Sequence, residues 1–269
     1  MSTHSPTNTP RQPTALPAPP LPATTARWAL LLDVDGTLLE FSDDPSDVSV
    51  NPRLLALLQA LHNTLGGALA LVSGRALSDL DRMFSHPAWA AAGLHGLELR
   101  HADGTRRQAD IDATERAHMR TAAQALAARF DGIQVEDKGA TIALHCRRAP
   151  QQLPLLRAAA QTVSAQLRGY EVQAGNLVVE FKPAGIDKGH AVAELLQREP
   201  FINRQPVYLG DDLTDEHAFA RVNAARGISV LVGSREPTLA PYTLSNPTAV
   251  EAWLRCVLAA ITQGNPADV

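Results

Sequence analysis

The chain has 269 residues, 45% of them hydrophobic, a formal net charge of -4 and two cysteines. That length holds a full core in one large or two modest domains. The small acidic balance excludes a surface built to neutralise nucleic-acid phosphates or to hold an anionic membrane, and points to a small-molecule partner.

Residues 1–27 carry seven of the nineteen prolines and little apolar bulk, so they are expected to form a disordered Pro-rich tail. Pro13, Pro17, Pro19, Pro20 and Pro22 interrupt every candidate for a secretory signal, and no apolar run is long enough to span a bilayer. Cys146 and Cys256 lack metal-site spacing, which suggests reduced thiols and a cytoplasmic location.

Trp28 to Leu32 is a short run apolar on both faces, the pattern of a buried parallel strand. It ends in Asp33-Val34-Asp35-Gly36-Thr37, and side chains two apart on an extended chain share a face, so the two carboxylates can flank one atom. Alone, this is an ordinary acidic turn. A solvated loop with Asp43, Asp44 and Asp47 follows. Asn51-Pro52 then opens a helix with Leu54, Leu55, Leu57, Leu58 and Leu61 as its apolar stripe, and Gly66-Gly67 closes it. Ala68 to Val72 is a second strand, ending in Ser73-Gly74-Arg75 before a helix near Leu77 to Phe84. Ala88 to Ala92 is a third strand, followed by a hairpin turning at Asp103-Gly104. Such alternation predicts an α/β fold: a Rossmann-like parallel sheet with crossover helices and ligands at the strands' carboxyl ends.

The pattern changes over residues 109–183. A helix (Asp112 to Phe130), two strands (Ile133 to Glu136, Thr141 to Cys146), a second helix (Pro150 to Leu167) and two more strands (Tyr170 to Gln173, Leu177 to Phe181) make a compact α+β unit. It is expected to be a domain inserted between core segments 28–108 and 184–269. Alternation resumes with Asp187-Lys188-Gly189-His190, the start of a helix to about Arg198. Pro206 to Leu209 is a strand ending in Gly210-Asp211-Asp212-Leu213-Thr214-Asp215-Glu216, with Thr214 expected to cap the next helix. Gly227 to Val232 and Ala249 to Ile261 supply a last strand and helix.

Three strand ends thus carry Asp33 and Asp35, Ser73, and Asp211 with Asp215, and Lys188 at a helix start can reach the same edge. Carboxylates, hydroxyls and one lysine suit a phosphate held with a hard divalent cation. Two unit charges ~4 Å apart at an effective dielectric of about 20 interact by about 4 kcal/mol, so a phosphate meeting bare Asp33 would be repelled. Mg2+, held by the Asp33 and Asp211 carboxylates and a main-chain carbonyl of Asp35, would offset that. Lys188, Ser73 and Thr37 would take the remaining phosphoryl oxygens. In this frame Asp33 is the nucleophile that forms an aspartyl-phosphate, and Asp35 the acid and later the base.

In this order the residues resemble the haloacid dehalogenase superfamily of phosphotransferases. Asp33-Val34-Asp35-Gly36-Thr37-Leu38 matches its first motif, Ser73 its second, Lys188 its third, and Gly210-Asp211-Asp212 with Asp215 its fourth. The wider set is similar to the trehalose 6-phosphate phosphatase family: Ser73-Gly74-Arg75, Gly93-Leu94-His95-Gly96-Leu97-Glu98, Glu136-Asp137-Lys138-Gly139, Glu180-Phe181-Lys182-Pro183 and the stretch from Gly210 to Glu216. The resemblance implies a mobile cap inserted between the second and third motifs, and hydrolysis of trehalose 6-phosphate to trehalose and inorganic phosphate. It also implies that Glu136, Lys138 and Glu180, with Arg75 from the core, read the sugar. A phosphatase or phosphomutase for another sugar phosphate is the alternative. A sensor without turnover is disfavoured, because it would need neither Asp33 nor Asp35. His95 is expected to have a structural role, His145 to be a plain strand residue, Asp212 to stand behind the ligands, and Asp215 to hold Lys188 or a metal water. Lys182 fits the third motif less well than Lys188. A monomer or weak oligomer is expected.

Overall fold

The structure is a computed structural model that describes residues 16–23, 27–40, 49–85, 88–175 and 177–263. In chain order its first part comprises β1 (Trp28–Leu32), α1 (Pro52–Thr64), β2 (Leu69–Val72), α2 (Leu77–Met83), β3 (Ala90–Gly93), β4 (Glu98–Arg100) and β5 (Arg106–Gln108). Then come α3 (Ala113–Ala127), β6 (Gln134–Asp137), β7 (Ile142–His145), α4 (Leu153–Ser164), β8 (Tyr170–Gly175) and β9 (Val178–Pro183). The chain closes with α5 (Lys188–Leu195), β10 (Gln205–Gly210), α6 (Glu216–Ala224), β11 (Ile228–Val232), β12 (Tyr242–Leu244) and α7 (Pro247–Thr262). The acidic loop of Asp43, Asp44 and Asp47 lies outside the described residues.

The first and last parts share one eight-stranded sheet in the order β12-β11-β10-β1-β2-β3-β4-β5, paired in parallel except at the antiparallel β3–β4 and β4–β5 pairs. Its central strands are buried along their whole length, which is why they read as unbroken apolar runs. α1 packs on α7 and α5 on α6, all contributing to the same core. The start of α1 follows its sequence: the Asn51 side chain accepts the Arg53 N–H, Pro52 stands in the first turn, and Gly66 and Gly67 end the helix with φ of 60° and 87°.

At the sheet edge one strand escaped the sequence reading and one expectation is corrected. β12 is three residues long and gave no run to detect, yet it pairs in parallel with β11. Of the stretch expected to be a free tail, residues 16–23 lie along that edge: Pro19 and Pro22 are buried, and the Thr243 N–H donates to the Pro17 carbonyl at 3.0 Å. A proline segment cannot donate, but its rings bury apolar surface and its carbonyls serve an edge strand.

The middle part forms a separate antiparallel sheet in the order β6-β7-β9-β8. α3 and α4 cover one face, with Met119, Leu126, Ile142, Leu144, Leu156 and Phe181 in that core. Strand alternation sends the other set of side chains to the opposite face. There the register aligns Glu136, Ala143, Glu180 and Gln173 in one row across four strands. No described helix is long and apolar enough to cross a membrane, and both cysteines are free thiols.

Candidate active site

Because β2, β1 and β10 are adjacent and parallel, their carboxyl ends bring Ser73, Asp33 and Asp211 side by side. Lys188, in the first turn of α5, reaches this edge with its ammonium buried and bound to Asp33 Oδ1 at 2.8 Å and Asp215 Oδ1 at 2.7 Å. Burial would lower the Lys188 pKa, but Asp215 and Asp33 outweigh it and push the value well up, so the lysine is a fixed cation.

Asp215 is wholly buried and its oxygens are fully used. Oδ1 takes Lys188 and the Tyr208 hydroxyl (2.6 Å), and Oδ2 takes the N–H groups of Asp211 (3.1 Å) and Asp212 (2.9 Å). Asp215 therefore positions Lys188 and the loop after β10. The Asp215–Asp212 contact also makes Asp212 the residue that opens the following 3-10 turn, and the cap position of α6 falls on Asp215, correcting the expectation that Thr214 caps that helix.

One oxygen each of Asp33, Asp211 and Asp215 falls within 4.8 Å of the others. With Asp215 occupied, Asp33 and Asp211 are the two acids with capacity to spare. Their shared donor among the described residues is the Thr37 hydroxyl, at 3.5 Å from Asp33 Oδ2 and 3.4 Å from Asp211 Oδ1. Burial, then Asp215, push Asp211 up to about 7, and burial likewise raises Asp33 against the pull of Lys188. Two crowded, desolvated carboxylates with all-oxygen donors suit a hard divalent cation. Thr37, expected at a phosphoryl oxygen, is instead completely buried between the acids.

Asp35 departs from its expected place. β1 ends at Leu32, and the next residues fold into a turn in which the Leu38 and Leu39 N–H groups both donate to the Val34 carbonyl. Alternation therefore stops before Asp35, whose carboxylate does not join the three-acid cluster. It is held in a two-pronged pair with Arg75, Nε to Oδ2 and Nη2 to Oδ1, both 2.7 Å. A metal role for Asp35 would have to fall to its main chain. The Ser73 hydroxyl faces the same cleft and accepts the Arg75 N–H at 3.1 Å.

The polar face of the second sheet roofs this edge, enclosing a cleft of about 570 Å3 lined by Asp33, Asp35, Arg75, Lys188 and Asp211 below and Glu136, Lys138 and Glu180 above. Glu180 is buried against Thr141 (2.7 Å), Lys138 (3.5 Å) and His95 (3.2 Å). Burial would raise its pKa, but Lys138, His95 and Thr141 outweigh it and keep the group ionised. Lys138 also reaches the Gly74 carbonyl at 3.5 Å. Glu136 takes the His145 ring at 2.8 Å, which lowers its pKa, so His145 belongs to the cleft and is more than the plain strand residue expected. Lys182 stands elsewhere, paired with Glu171 at 2.6 Å and with the Ile186 carbonyl.

The trehalose-phosphatase family model matches residues 31–248. The chain belongs to the trehalose-phosphatase family. It is 40% identical over 235 residues to a probable trehalose-phosphate phosphatase of Sinorhizobium fredii, covering 87% of each chain. To the trehalose-6-phosphate phosphatase of Escherichia coli it is 38% identical over 242 residues, 90% of this chain and 91% of that one. The C-terminal domain of the C. albicans trehalose-6-phosphate phosphatase has the same fold, with a TM-score of 0.79 over 91% of this chain and 98% of that one at 21% identity. An Aspergillus fumigatus trehalose-6-phosphate phosphatase gives a TM-score of 0.62 at 26% identity, over 87% of this chain and 94% of that one.

Within this trehalose-phosphatase site, two supporting residues escaped the sequence reading. Tyr208 lies inside an apolar strand run, and its hydroxyl gives no signal of a partner seven residues on. Arg235 follows β11, where a search for polar residues at strand ends would have found it. It donates to Glu216 (2.5 Å), the Asp212 carbonyl (3.3 Å) and the Pro237 carbonyl (2.8 Å), tying down the loop that carries Asp211.

Proposed function

We propose that the chain is a Mg2+-dependent phosphatase that converts trehalose 6-phosphate to trehalose and inorganic phosphate in the cytoplasm, as a monomer or weak oligomer. The carrying observation is that one cleft joins the acid, hydroxyl and lysine cluster of three strand ends to a roof of sugar-compatible polar groups. Mg2+ would be held by the Asp33 and Asp211 carboxylates and the Asp35 main chain, and supplies positive charge beside the transferring phosphoryl group.

An Asp33 oxygen attacks phosphorus, the bond from phosphorus to the sugar oxygen breaks, and Asp35 gives that oxygen its proton. Water then attacks the phosphorus of the aspartyl-phosphate, Asp35 takes a proton back, and phosphate leaves with Asp33 regenerated. Lys188 and Ser73 bind the phosphoryl oxygens. Asp35 can act as an acid only once its carboxylate leaves the Arg75 fork, so substrate entry exchanges that pair for contacts of Arg75 with the substrate. Residues 109–183 act as a cap on core segments 28–108 and 184–269, with Glu136, Lys138 and Glu180 reading hydroxyls and excluding water from the intermediate.

Phosphate release is to be measured with Mg2+ on trehalose 6-phosphate, sucrose 6-phosphate and glucose 6-phosphate. The reading expects turnover on the first to exceed the others, and its loss in Asp33→Asn. Equal turnover on all three would refute the sugar assignment, and an active Asp33→Asn would refute the mechanism.

A further inference from the structure

His95 has an unusual setting that the catalytic scheme leaves unused. It lies in the 3-10 turn Leu94–Gly96 in a left-handed conformation, φ 57°, which a non-glycine residue adopts at a cost. That turn is bonded by its backbone to the phosphate-side loop: the His95 N–H donates to the Ser73 carbonyl at 3.0 Å and the Leu94 N–H to the Arg75 carbonyl at 2.9 Å. The Nε2–Cε1 edge of its ring closes over Gly74, where an added Cβ would stand 2.6 Å from Nε2, so the absent side chain makes room for it.

The same Nε2 points up into the second sheet, 3.2 Å from Glu180 Oε2 and 3.1 Å from Gln173 Nε2. His95 thus belongs to the core by its backbone and to the roof by its ring. A second arm runs parallel to it, because Lys138 holds Glu180 and also reaches the Gly74 carbonyl. Both arms meet Glu180 above and the Ser73–Arg75 loop below. Burial pushes the His95 pKa down, so the ring is neutral, and its Nδ1 has no partner among the described residues. With Nδ1 as the bare nitrogen, Nε2 carries the proton and donates to Glu180, and the Gln173 amide joins that N–H through its oxygen, the amide being turned end for end.

We propose that His95 is a positioning residue that couples the two halves of the cleft: docking of Glu180 and Gln173 on its ring sets the Ser73–Arg75 loop for phosphate, and a bound phosphate group in turn favours the docked roof. This rests on the trehalose 6-phosphate reading above. Linkage makes the effect reciprocal, so the two product fragments, trehalose and inorganic phosphate, bind with mutual enhancement.

The test is calorimetric titration of the full chain with trehalose in Mg2+, with and without saturating inorganic phosphate. The wild type is expected to bind trehalose at least about fivefold tighter with phosphate present, the lower end of ordinary coupling. His95→Asn tolerates the left-handed backbone but is too short to reach Glu180, and is expected to cut that ratio below about twofold. Gln173→Ala, which leaves the core turn untouched, is expected to reduce it in the same direction, so the outcome does not hang on the folding of one variant. A ratio unchanged in both variants, or near one in the wild type, overturns the inference while leaving the substrate reading intact. Failure of the wild type to bind trehalose overturns the substrate reading and the inference with it.

Discussion

Lys188→Met removes the one cation that stands between two buried carboxylates. With the ammonium 2.8 Å from Asp33 and 2.7 Å from Asp215, each pair is worth ~6 kcal/mol of gross attraction at an effective dielectric of about 20. Desolvating the lysine cancels much of that gain, but the variant keeps both acids buried, and breaking such a pair costs about 3–5 kcal/mol. Urea unfolding near pH 7.5 with chelator present should show a loss of that size, together with loss of turnover. The double variant Asp33→Asn with Lys188→Met should recover part of the stability, because one of the two stranded charges is gone. A Lys188→Met protein within about 1 kcal/mol of the wild type, or a double variant less stable than the single, would refute the charge reasoning.

Gly74→Ala would drive a Cβ into the His95 ring. Overpacking of that kind costs about 1–3 kcal/mol, and steady-state kinetics should show KM for trehalose 6-phosphate rising more than kcat falls. Removing divalent cation with chelator should stop phosphate release, and restoring Mg2+ should bring it back. Mg2+ at about 100 times its dissociation constant should also add ~2.7 kcal/mol to stability in thermal or urea unfolding; no stabilisation would argue against Asp33 and Asp211 as ligands. Asp187 caps α5 and meets the rings of His190 and His217 at 2.9 and 2.7 Å. Burial would raise its pKa, but the His190 N–H and the two rings outweigh it and lower the value to about 2 from an ordinary 3.8. A depressed pKa means stability present above pH 4 and lost as pH falls through about 2. Since the group is partly exposed, Asp187→Ala should cost only ~1 kcal/mol near neutral pH and flatten the stability curve in that acid window.

The core elements were legible because a strand buried on both faces has to be apolar throughout, and β1, β2 and β11 are. The polar residues at their ends were legible for the converse reason: a parallel sheet leaves its carboxyl ends open, and Asp33, Ser73 and Asp211 break apolar runs there. Orientation was not legible at the same sites. Asp35 looks equivalent to Asp33 under strand alternation, yet the turn at Val34 sends its carboxylate to Arg75, forty residues away. Asp215 is expected from the sequence to hold either Lys188 or a metal water, and the four donors around it, Lys188 among them, decide between the two. His145 read as an ordinary strand residue because its partner, Glu136, is set by the cross-strand diagonal of a hairpin. β12 and residues 16–23 had too little local pattern to declare that they pair with each other.

By itself the sequence determined which residues could be buried and which chemical groups would gather at one sheet edge, since both follow from periodicity and from the topology that periodicity demands. Tertiary structure alone decided that the Asp35 carboxylate turns to Arg75, that all of Asp215 is consumed as a support, and how His95 joins roof to floor. Those outcomes depend on contacts between segments distant in the chain, and in a crowded, desolvated site the nearest donor determines what each acid can do.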